Sequence, residues 1–354
     1  MRTHLRVGII AVLCMAASGS RAQSVMRVLY NDSHFHLTNY VQHGPSAHDV
    51  LRLMGDSIGR TTLFGIPLQQ EWLAGVTGDR APTYYLQSDA PLYYYSFTDA
   101  YIAMQYRALS PAQQSRFDPM ITGFDPRDMY ASEHIRRVLR TFPGVFEGIG
   151  EFSIHKEFVS DKVRPGPASL MDPALDSIFA TAGEIGLVVL LHNDMDVPFA
   201  SDTTTPAYLD QVKALFRRHP NTTVIWAHAG VGRVVRPVRN HAATLAALLA
   251  DPAFRNVYFD ISWDVVAKYF VSSPDVVRIA AELIERYPDR FLFGSDVVAP
   301  ATSGAWFATY DLYAPLWAAL SPRTSQQVRV GNYERLFDAA RRNVRAWEAA
   351  HLEK

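Results

Sequence analysis

The chain has 354 residues, of which 48% are hydrophobic and 19% are charged, and its formal net charge is −1. This composition excludes a disordered or collagen-like protein and is sufficient for a large hydrophobic core. A surface that binds polyanions normally carries excess positive charge, so the composition argues against nucleic acid as a partner.

The amino-terminal segment has the pattern of a secretory signal peptide. Arg2 and Arg6 flank the start of an apolar stretch at residues 7–17, and Ser20 and Ala22 are the small residues that a signal peptidase reads. The apolar stretch is too short to remain as a membrane-spanning anchor. We therefore predict cleavage after Ala22 and export to the periplasm or the medium.

Removal of the leader divides the chain into a signal peptide, residues 1–22, and one mature domain, residues 23–354. The cleaved segment contains three arginines, so the formal charge of the mature chain becomes −4. It also contains the single cysteine, Cys14. The mature domain therefore has no thiol, which excludes a cysteine nucleophile and a zinc site with cysteine ligands.

Eight short apolar runs in the mature chain are rich in Val, Ile, Leu and Phe without strict alternation, as is typical of strands buried on both faces. Helical patterns follow several of them. This alternation predicts a parallel sheet closed into a distorted (β/α)₈ TIM barrel of one domain, with a doubly wound open sheet as the alternative. The predicted strands are 26–31, 61–66, 119–123, 145–152, 187–191, 223–227, 257–261 and 291–294, and the predicted helices are 173–185, 207–218, 237–249, 275–287 and 334–349.

Two segments interrupt the regular alternation. Residues 69–96 are rich in tyrosine and follow the second predicted strand, and residues 155–172 follow the fourth. In a barrel both would lie on the carboxyl-terminal face, where long loops shape substrate sites. A packed excursion that merely covers the barrel rim is the alternative for the tyrosine-rich segment.

Imidazole and carboxylate groups stand at or near the ends of six predicted strands. Residues two apart in a strand point to the same side, so two histidines after the first strand can be directed at one point. The carboxyl ends of all strands meet at one mouth of a barrel, and these groups suit a divalent ion such as zinc. The residues are His34, His36, Glu151, His192, His228, Asp260 and Asp296.

The sequence resembles the amidohydrolase superfamily, and within it the amidohydrolase-related branch. The resemblance is carried by His34-Phe35-His36, Gly148-Ile149-Gly150-Glu151, His192, Trp226-Ala227-His228-Ala229-Gly230, Phe293-Gly294-Ser295-Asp296 and a closing segment at residues 331–337. It implies a distorted barrel with a divalent metal at its mouth. It also implies hydrolysis of ester, lactone or amide bonds, or non-oxidative decarboxylation.

The chain departs from the lysine-bridged members of the superfamily. Glu151 stands at the end of the fourth strand in place of a lysine, and Lys156 lies in the loop beyond. Glu151 would bridge two ions, or, beside a single ion, orient a ligand or simply pair with a nearby cation. His192 would complete a one-ion site or hold the second ion.

The remaining roles follow from the same resemblance. Asp296 would ligate the ion and transfer the proton of an attacking water, while His228 would ligate a second ion or polarise a substrate carbonyl. Asp260 would set a histidine tautomer or serve a structural role. The candidates for binding a substrate carboxylate are Arg233, Lys156 and Arg60, of which Arg233 is the best placed in sequence.

The leading hypothesis is thus an exported hydrolase that depends on one or two divalent ions, zinc first, and acts on a small-molecule ester, lactone or amide. One alternative is a metal-dependent decarboxylase of an aromatic or unsaturated acid on the same barrel. A second is a binding protein that has lost catalysis. The sequence does not distinguish between oligomeric states.

Overall fold

The computed structural model describes residues 28–39, 42–66, 78–79, 95–156, 168–200 and 202–352. The predicted signal peptide lies outside these residues, as do most of the segments 69–96 and 155–172. Among the described residues, no helix combines the length and the apolar character needed to cross a bilayer.

The centre of the fold is an eight-stranded parallel sheet. Eight strands of the described residues form this sheet, and β2 and β10 form a separate two-stranded pair. The strands are β1 (Tyr30–Asp32), β2 (Phe35–His36), β3 (Ile58–Leu63), β4 (Phe117–Ile121), β5 (Gly148–Ser153), β6 (Val188–His192), β7 (Val224–Trp226), β8 (Val257–Asp260), β9 (Phe291–Leu292) and β10 (Val297–Val298). The order within the sheet is β1-β3-β4-β5-β6-β7-β8-β9, and all of its pairs are parallel.

The first and last strands of this sheet are joined across the seam. The backbone N–H of Ser33 donates to the carbonyl oxygen of Phe293 at 3.1 Å, and its hydroxyl donates to the same oxygen at 2.9 Å. Just beyond, β2 and β10 pair in parallel, with Phe35 opposite Val297. These contacts close the sheet into a distorted (β/α)₈ barrel, which confirms the predicted fold over the open sheet.

Helices surround the barrel. Those in the described residues are α1 (Ala47–Met54), α2 (Thr98–Arg107), α3 (Pro111–Gln114), α4 (Ala131–Thr141), α5 (Pro173–Ile185), α6 (Leu209–Arg218), α7 (His241–Ala250), α8 (Asp264–Val271), α9 (Pro274–Arg286), α10 (Ser303–Leu312), α11 (Ala314–Ala319), α12 (Pro322–Gln326) and α13 (Asn332–His351). All five predicted helices are present, with α5 at its predicted bounds.

Helix α5 shows how local sequence sets these bounds. Pro173 occupies the first turn, where its missing N–H costs nothing. The buried residues Leu175, Ile178 and Phe179 form the face that packs on the barrel. Gly186 ends the helix in the left-handed conformation (φ 85°), which glycine adopts without steric cost.

Two strands begin earlier in the sequence than predicted, and the same physical reason accounts for both. Strand β3 begins at Ile58 rather than at 61, and β4 begins at Phe117 rather than at 119. Each starts with a segment that contains a charged residue, Arg60 in one strand and Asp118 in the other. The two side chains pair with each other at 2.6 Å, so neither charge is buried alone.

Other boundaries differ by a few residues. Strand β1 begins at Tyr30, whereas the prediction began at 26, and the predicted helix at 237–249 is observed as α7, beginning at His241. Asn240 stands just before α7 in the left-handed conformation (φ 60°), so the helix cannot extend back through it. Strands β5 and β6 each end one residue beyond the prediction, which places His192 inside β6.

The barrel interior is filled by side chains and closed at its base by α13. Met120, Leu190 and Leu292 from three strands form one buried cluster with Tyr333 and Phe337 of α13. Such filling makes the barrel a packed core rather than a pore. The polar groups at the opposite, carboxyl-terminal end are therefore held on a rigid platform.

Candidate metal centre

Two histidines and an aspartate converge at the seam where the barrel closes. The Nε2 atoms of His34 and His36 lie 3.2 Å and 3.1 Å from Oδ1 of Asp296. Both histidines are buried, with exposures of 0% and 2%. Their candidate ligand atoms and that of Asp296 all lie within 4.8 Å of one another, as a single ion requires. The structure thus brings Asp296 to two histidines that lie about 260 residues earlier in the sequence.

A second group of candidate ligands shares His34 with the first. It consists of His34, Glu151 and His228, again with ligand atoms within 4.8 Å. The Nε2 atoms of His34 and His228 are buried and form no hydrogen bond to any described residue. Oxygens of Asp296 and Glu151 lie 3.2–3.9 Å from these two atoms without forming a hydrogen bond to them. A buried imidazole nitrogen that forms no hydrogen bond is costly unless a ligand or an ion satisfies it.

The other ring nitrogens of the first group are already engaged. Nδ1 of His36 donates to the carbonyl oxygen of Gly65 at 3.0 Å. Nδ1 of His34 donates to Oδ2 of Asp260 at 2.9 Å. Both contacts direct the Nε2 atoms toward the centre, an arrangement typical of metal-bound histidines. The contact of Asp260 agrees with the tautomer-setting role considered for it.

The backbone around Asp296 is held in an uncommon conformation. Asp296 has φ of 53°, in the left-handed region, and its N–H donates to the carbonyl oxygen of His34 at 2.7 Å. Strain of this kind costs on the order of 1–3 kcal/mol and is concentrated at functional sites. His228 and Ala229 also have positive φ values, 56° and 50°. Both loops are thus bent to present their side chains inward.

The carboxylate of Asp32, which sequence reasoning left without a role, links the two sides of the seam. It accepts the backbone N–H of His34 at 3.0 Å and that of Ser295 at 2.8 Å. It also accepts the Ser295 hydroxyl at 2.5 Å and the indole N–H of Trp306 at 2.7 Å. Asp32 therefore fixes the residues adjacent to two candidate ligands.

Glu151 and His192 lie beside these groups but differ in their contacts. Oε1 of Glu151 lies 2.6 Å from Nδ1 of His192, and Nε2 of His192 lies 3.3 Å from Oδ1 of Asp194. Oε2 of Glu151 faces His36 and His34, at 3.5 Å and 3.7 Å from their Nε2 atoms. Glu151 is thus aimed at the candidate ion, whereas His192 is held between two carboxylates. A ligand role for His192 stays a prediction.

The electrostatics of the centre favour a positive charge. Burial opposes ionisation, but Lys156 and His192 hold the pKa of Glu151 well below its ordinary value. Burial also opposes the ionisation of Asp296, but His34 and His36 outweigh the effect of burial and lower the pKa of this carboxyl. Burial lowers the pKa of His34, yet Asp296 and Asp260 raise it well above the usual value. The carboxylates therefore stabilise a cation at this point, whether a proton or a metal ion.

His228 differs from His34 in charge. Burial and the neighbouring His192 hold the pKa of His228 well below its ordinary value. Its imidazole is therefore neutral at pH 7, as ligation of an ion requires. The Nε2 atoms of His34 and His228 form no hydrogen bond to any described residue, and the carboxylates of Glu151 and Asp296 are ionised. Such a set of imidazole and carboxylate donors fits a divalent ion of the zinc type.

Two of the three predicted substrate-binding cations, Arg233 and Lys156, lie against a tryptophan that the sequence analysis did not single out. The Arg233 guanidinium carbon lies 5.3 Å from the ring centroid of Trp263, and Nζ of Lys156 lies 5.8 Å from it. The ring also contacts the imidazole of His228, with centroids 5.1 Å apart. Nζ of Lys156 lies 3.1 Å from Oε1 of Glu151. Trp263 has φ of 81°, a backbone signal that a sequence does not reveal.

Arg60 lies elsewhere. It pairs with Asp118 and Asp338 at the amino-terminal end of the barrel, and its guanidinium lies over the ring of Tyr333. The expectation that Arg60 binds a substrate carboxylate is therefore wrong, because its charge is used between the barrel and α13.

Comparisons with known proteins agree with this geometry. A sequence model described as Amidohydrolase matches residues 32–339, well over half of the chain. No curated protein matches the sequence at a significant level.

Among solved structures, the chain is similar to a probable 2-pyrone-4,6-dicarboxylic acid hydrolase from Acinetobacter baumannii, with a TM-score of 0.53 and 12% identity over 88% of this chain and 100% of the other. It is also similar to an amidohydrolase from Burkholderia multivorans with bound zinc, with a TM-score of 0.50 and 15% identity over 88% of this chain and 99% of the other. At these identities the likeness shows the barrel fold alone.

Proposed function

The chain belongs to the amidohydrolase family, and from this membership we propose that it is an exported, metal-dependent hydrolase of small-molecule esters, lactones or amides. The observation that carries the proposal is the convergence of His34, His36 and Asp296, together with the buried Nε2 atoms of His34 and His228, which form no hydrogen bond to any described residue. Zinc is the first candidate ion because imidazole and carboxylate ligands suit it. The zinc found in the Burkholderia multivorans structure supports the same choice.

The proposed roles follow from the contacts. His34, His36 and Asp296 would hold the ion, with Glu151 and His228 directed at the same point. When bound, a zinc-like ion polarises a substrate carbonyl and acidifies water. Asp296 has a second oxygen, Oδ2, 3.7 Å from Nε2 of His228. This carboxylate would accept the proton of the attacking water and deliver it to the leaving group.

The surroundings of the centre suggest how a substrate is positioned. Trp263 is 7% exposed and stands beside His228, with Arg233 and Lys156 against it. Arg233 would bind a carboxylate of the substrate, since guanidinium groups recognise carboxylates in a bidentate manner. The ammonium of Lys156 would also bind a substrate carboxylate, while it keeps its contact with Glu151.

A substrate panel tests the proposal. The purified mature protein, stripped of metal with a chelator and then reloaded with zinc, would be assayed on aryl esters, on lactones including a 2-pyrone-4,6-dicarboxylate, and on aromatic acids. Zinc-dependent hydrolysis supports the proposal. Release of carbon dioxide from an aromatic acid without hydrolysis would identify the decarboxylase alternative. Absence of turnover by a zinc-loaded protein across the panel would favour the binding-protein alternative.

Export is proposed on sequence grounds. The basic, apolar and small-residue pattern of residues 1–22 supports it, and the absence of cysteine from residues 23–354 suits an oxidising compartment. Amino-terminal sequencing of the protein recovered from the periplasm or medium should begin at Gln23. An intact Met1 on a cytoplasmic protein would contradict it.

A further inference from the structure

Ser262 occupies a buried position between His34 and His228, the two histidines whose Nε2 atoms form no hydrogen bond to any described residue. It lies two residues after Asp260, at the end of β8, and is 0% exposed. Its hydroxyl oxygen lies 2.5 Å from Oδ1 of Asp260, 2.9 Å from Nδ1 of His228 and 3.2 Å from Nδ1 of His34. No other described side chain lies within hydrogen-bond distance of Nδ1 of His228.

Counting hydrogens determines the direction of each bond. A serine hydroxyl has one hydrogen to donate and two lone pairs to accept with. An ionised carboxylate only accepts, so the hydroxyl hydrogen is donated to Asp260. The hydroxyl oxygen must then accept from Nδ1–H of His228, and it can also accept from His34. Nε2 of a neutral His228 is therefore left without a hydrogen.

We propose that Ser262 is a positioning residue that holds His228 with its proton on Nδ1 and so presents the bare Nε2 to the candidate ion. The inference rests on the proposed function in that it assumes an ion at the centre. Asp260 cannot do this alone, because its Oδ1 lies 3.7 Å from Nδ1 of His228. The serine hydroxyl spans that gap.

This link makes one carboxylate serve two histidines. Asp260 accepts directly from His34 through Oδ2 and reaches His228 through Ser262 and Oδ1. Oδ1 of Asp260 also accepts the backbone N–H of His228 at 2.8 Å, which fixes the strained loop that carries the imidazole. Ser262 thus completes a connection from β8 to the ends of β1 and β7.

Zinc affinity and histidine tautomer test the proposal together. In Ser262→Ala the hydroxyl is lost, and zinc affinity, measured by competition with a chromophoric chelator, should fall about 10- to 100-fold, as is typical when a partner of a ligating histidine is removed. Ser262→Thr keeps the hydroxyl and should bind zinc within a few fold of the wild type. In metal-free protein labelled with ¹⁵N-histidine, His228 should carry its proton on Nδ1 in the wild type and lose that preference in Ser262→Ala.

A matched control separates positioning from the loss of any buried hydroxyl. Thr222 donates from its hydroxyl to the carbonyl oxygen of Phe179 at 2.8 Å and has no hydrogen bond to His34 or His228. Thr222→Val should leave zinc affinity unchanged. Wild-type affinity in a folded Ser262→Ala, or a wild-type His228 with its proton on Nε2, would overturn the proposal.

The tautomer measurement remains decisive if Ser262→Ala does not fold, because it is made on the wild type. It also distinguishes the two proposals. A wild type that binds no zinc but holds His228 with its proton on Nδ1 contradicts the proposed function and leaves the positioning role of Ser262 standing.

Discussion

Asp296 is the residue to which we assign two tasks in the proposed centre. Its Oδ1 lies between the Nε2 atoms of His34 and His36, and its lowered pKa keeps it ionised at neutral pH. A carboxylate in this state can ligate a cation and can also accept a proton. Its loop is held in place from β1, since the N–H of Asp296 donates to the carbonyl oxygen of His34.

We predict that Asp296→Asn abolishes nearly all turnover while the barrel still folds. The amide keeps the size of the side chain but cannot accept the proton, and general acid–base catalysis contributes about 10²- to 10⁴-fold. Steady-state kinetics with circular dichroism as the folding control would measure this. Near-normal turnover in the folded variant would show that another group is the base.

The contacts of Glu151 bear on whether the proposed centre holds one ion or two. A bridging carboxylate offers one oxygen to each of two ions. Here Oε1 of Glu151 lies 2.6 Å from Nδ1 of His192 and Oε2 faces His34 and His36, while Nζ of Lys156 contacts both oxygens, at 3.1 Å and 3.3 Å. The ammonium of Lys156 already offsets the charge of the carboxylate that would have to bridge two ions, so the arrangement favours one ion.

The prediction is one equivalent of zinc per wild-type chain and one equivalent in Glu151→Gln, with a milder loss of rate than in Asp296→Asn. Glutamine keeps the hydrogen-bonding capacity but loses the charge. Elemental analysis after equilibration with excess zinc and removal of the unbound metal gives the count. Two equivalents in the wild type that fall to one or none in Glu151→Gln would instead establish the bridging role.

At the scale of secondary-structure elements, the base of the barrel is fastened to α13 by buried charges. Asp118 of β4 is 0% exposed and accepts from Arg60 at 2.6 Å, Arg341 at 2.8 Å and the Tyr333 hydroxyl at 2.7 Å. Removing one partner of such a network leaves uncompensated buried charge, which typically costs about 3–5 kcal/mol.

Asp118→Asn should therefore lower the free energy of unfolding in urea by several kcal/mol, while zinc binding by the remaining folded protein is unchanged. The exposed pair Arg278 and Glu282 on α9 is the control, because such pairs contribute about 0–1 kcal/mol. An Asp118→Asn variant no less stable than Arg278→Gln would contradict the role given to this network.

The start of α7 carries a pH-sensitive group. His241 donates from Nε2 to the carbonyl oxygen of Ala229, and burial lowers the pKa of this imidazole to about 4. Between pH 6.5 and 4 the unfolded chain therefore binds a proton that the folded chain does not. Stability due to this group is full above that window and is lost as the pH falls through it.

We expect the wild type to lose more stability than His241→Gln on acidification from pH 6.5 to pH 4, by at most about 1.4 kcal/mol per pH unit for a single site. Urea unfolding of both proteins at a series of pH values isolates the contribution, since all other groups are shared. Parallel stability curves would show that His241 is not kept neutral by the fold.

On the scale of the whole molecule, the sequence was sufficient to predict the closed barrel and most of the residues that meet at its mouth. His34, His36 and Asp296 were predictable because they follow buried apolar runs whose carboxyl ends must meet in a parallel barrel. The structure adds Asp32, Ser262 and Trp263, each of which contacts residues that lie far from it in the sequence.

These additions could not be read from spacing. The Asp32 carboxylate accepts from Ser295, 263 residues away, and Trp263 is marked only by its positive φ. For Arg60 the sequence analysis predicted a contact with substrate that the structure does not show. The prediction failed because the partners of Arg60 at the base of the barrel, Asp118 and Asp338, cannot be identified from spacing. Local patterns thus predict elements and strand ends, whereas the contacts that orient the ligands are set by the closure of the barrel.

The most direct test of the account is the position of the ion. Anomalous diffraction at the zinc absorption edge, from crystals of zinc-loaded mature protein, should show a peak about 2.0–2.2 Å from Nε2 of His34, Nε2 of His36 and a carboxylate oxygen of Asp296. No peak at the barrel mouth, or a peak that these three residues do not contact, would contradict the metal centre and the hydrolysis proposed from it.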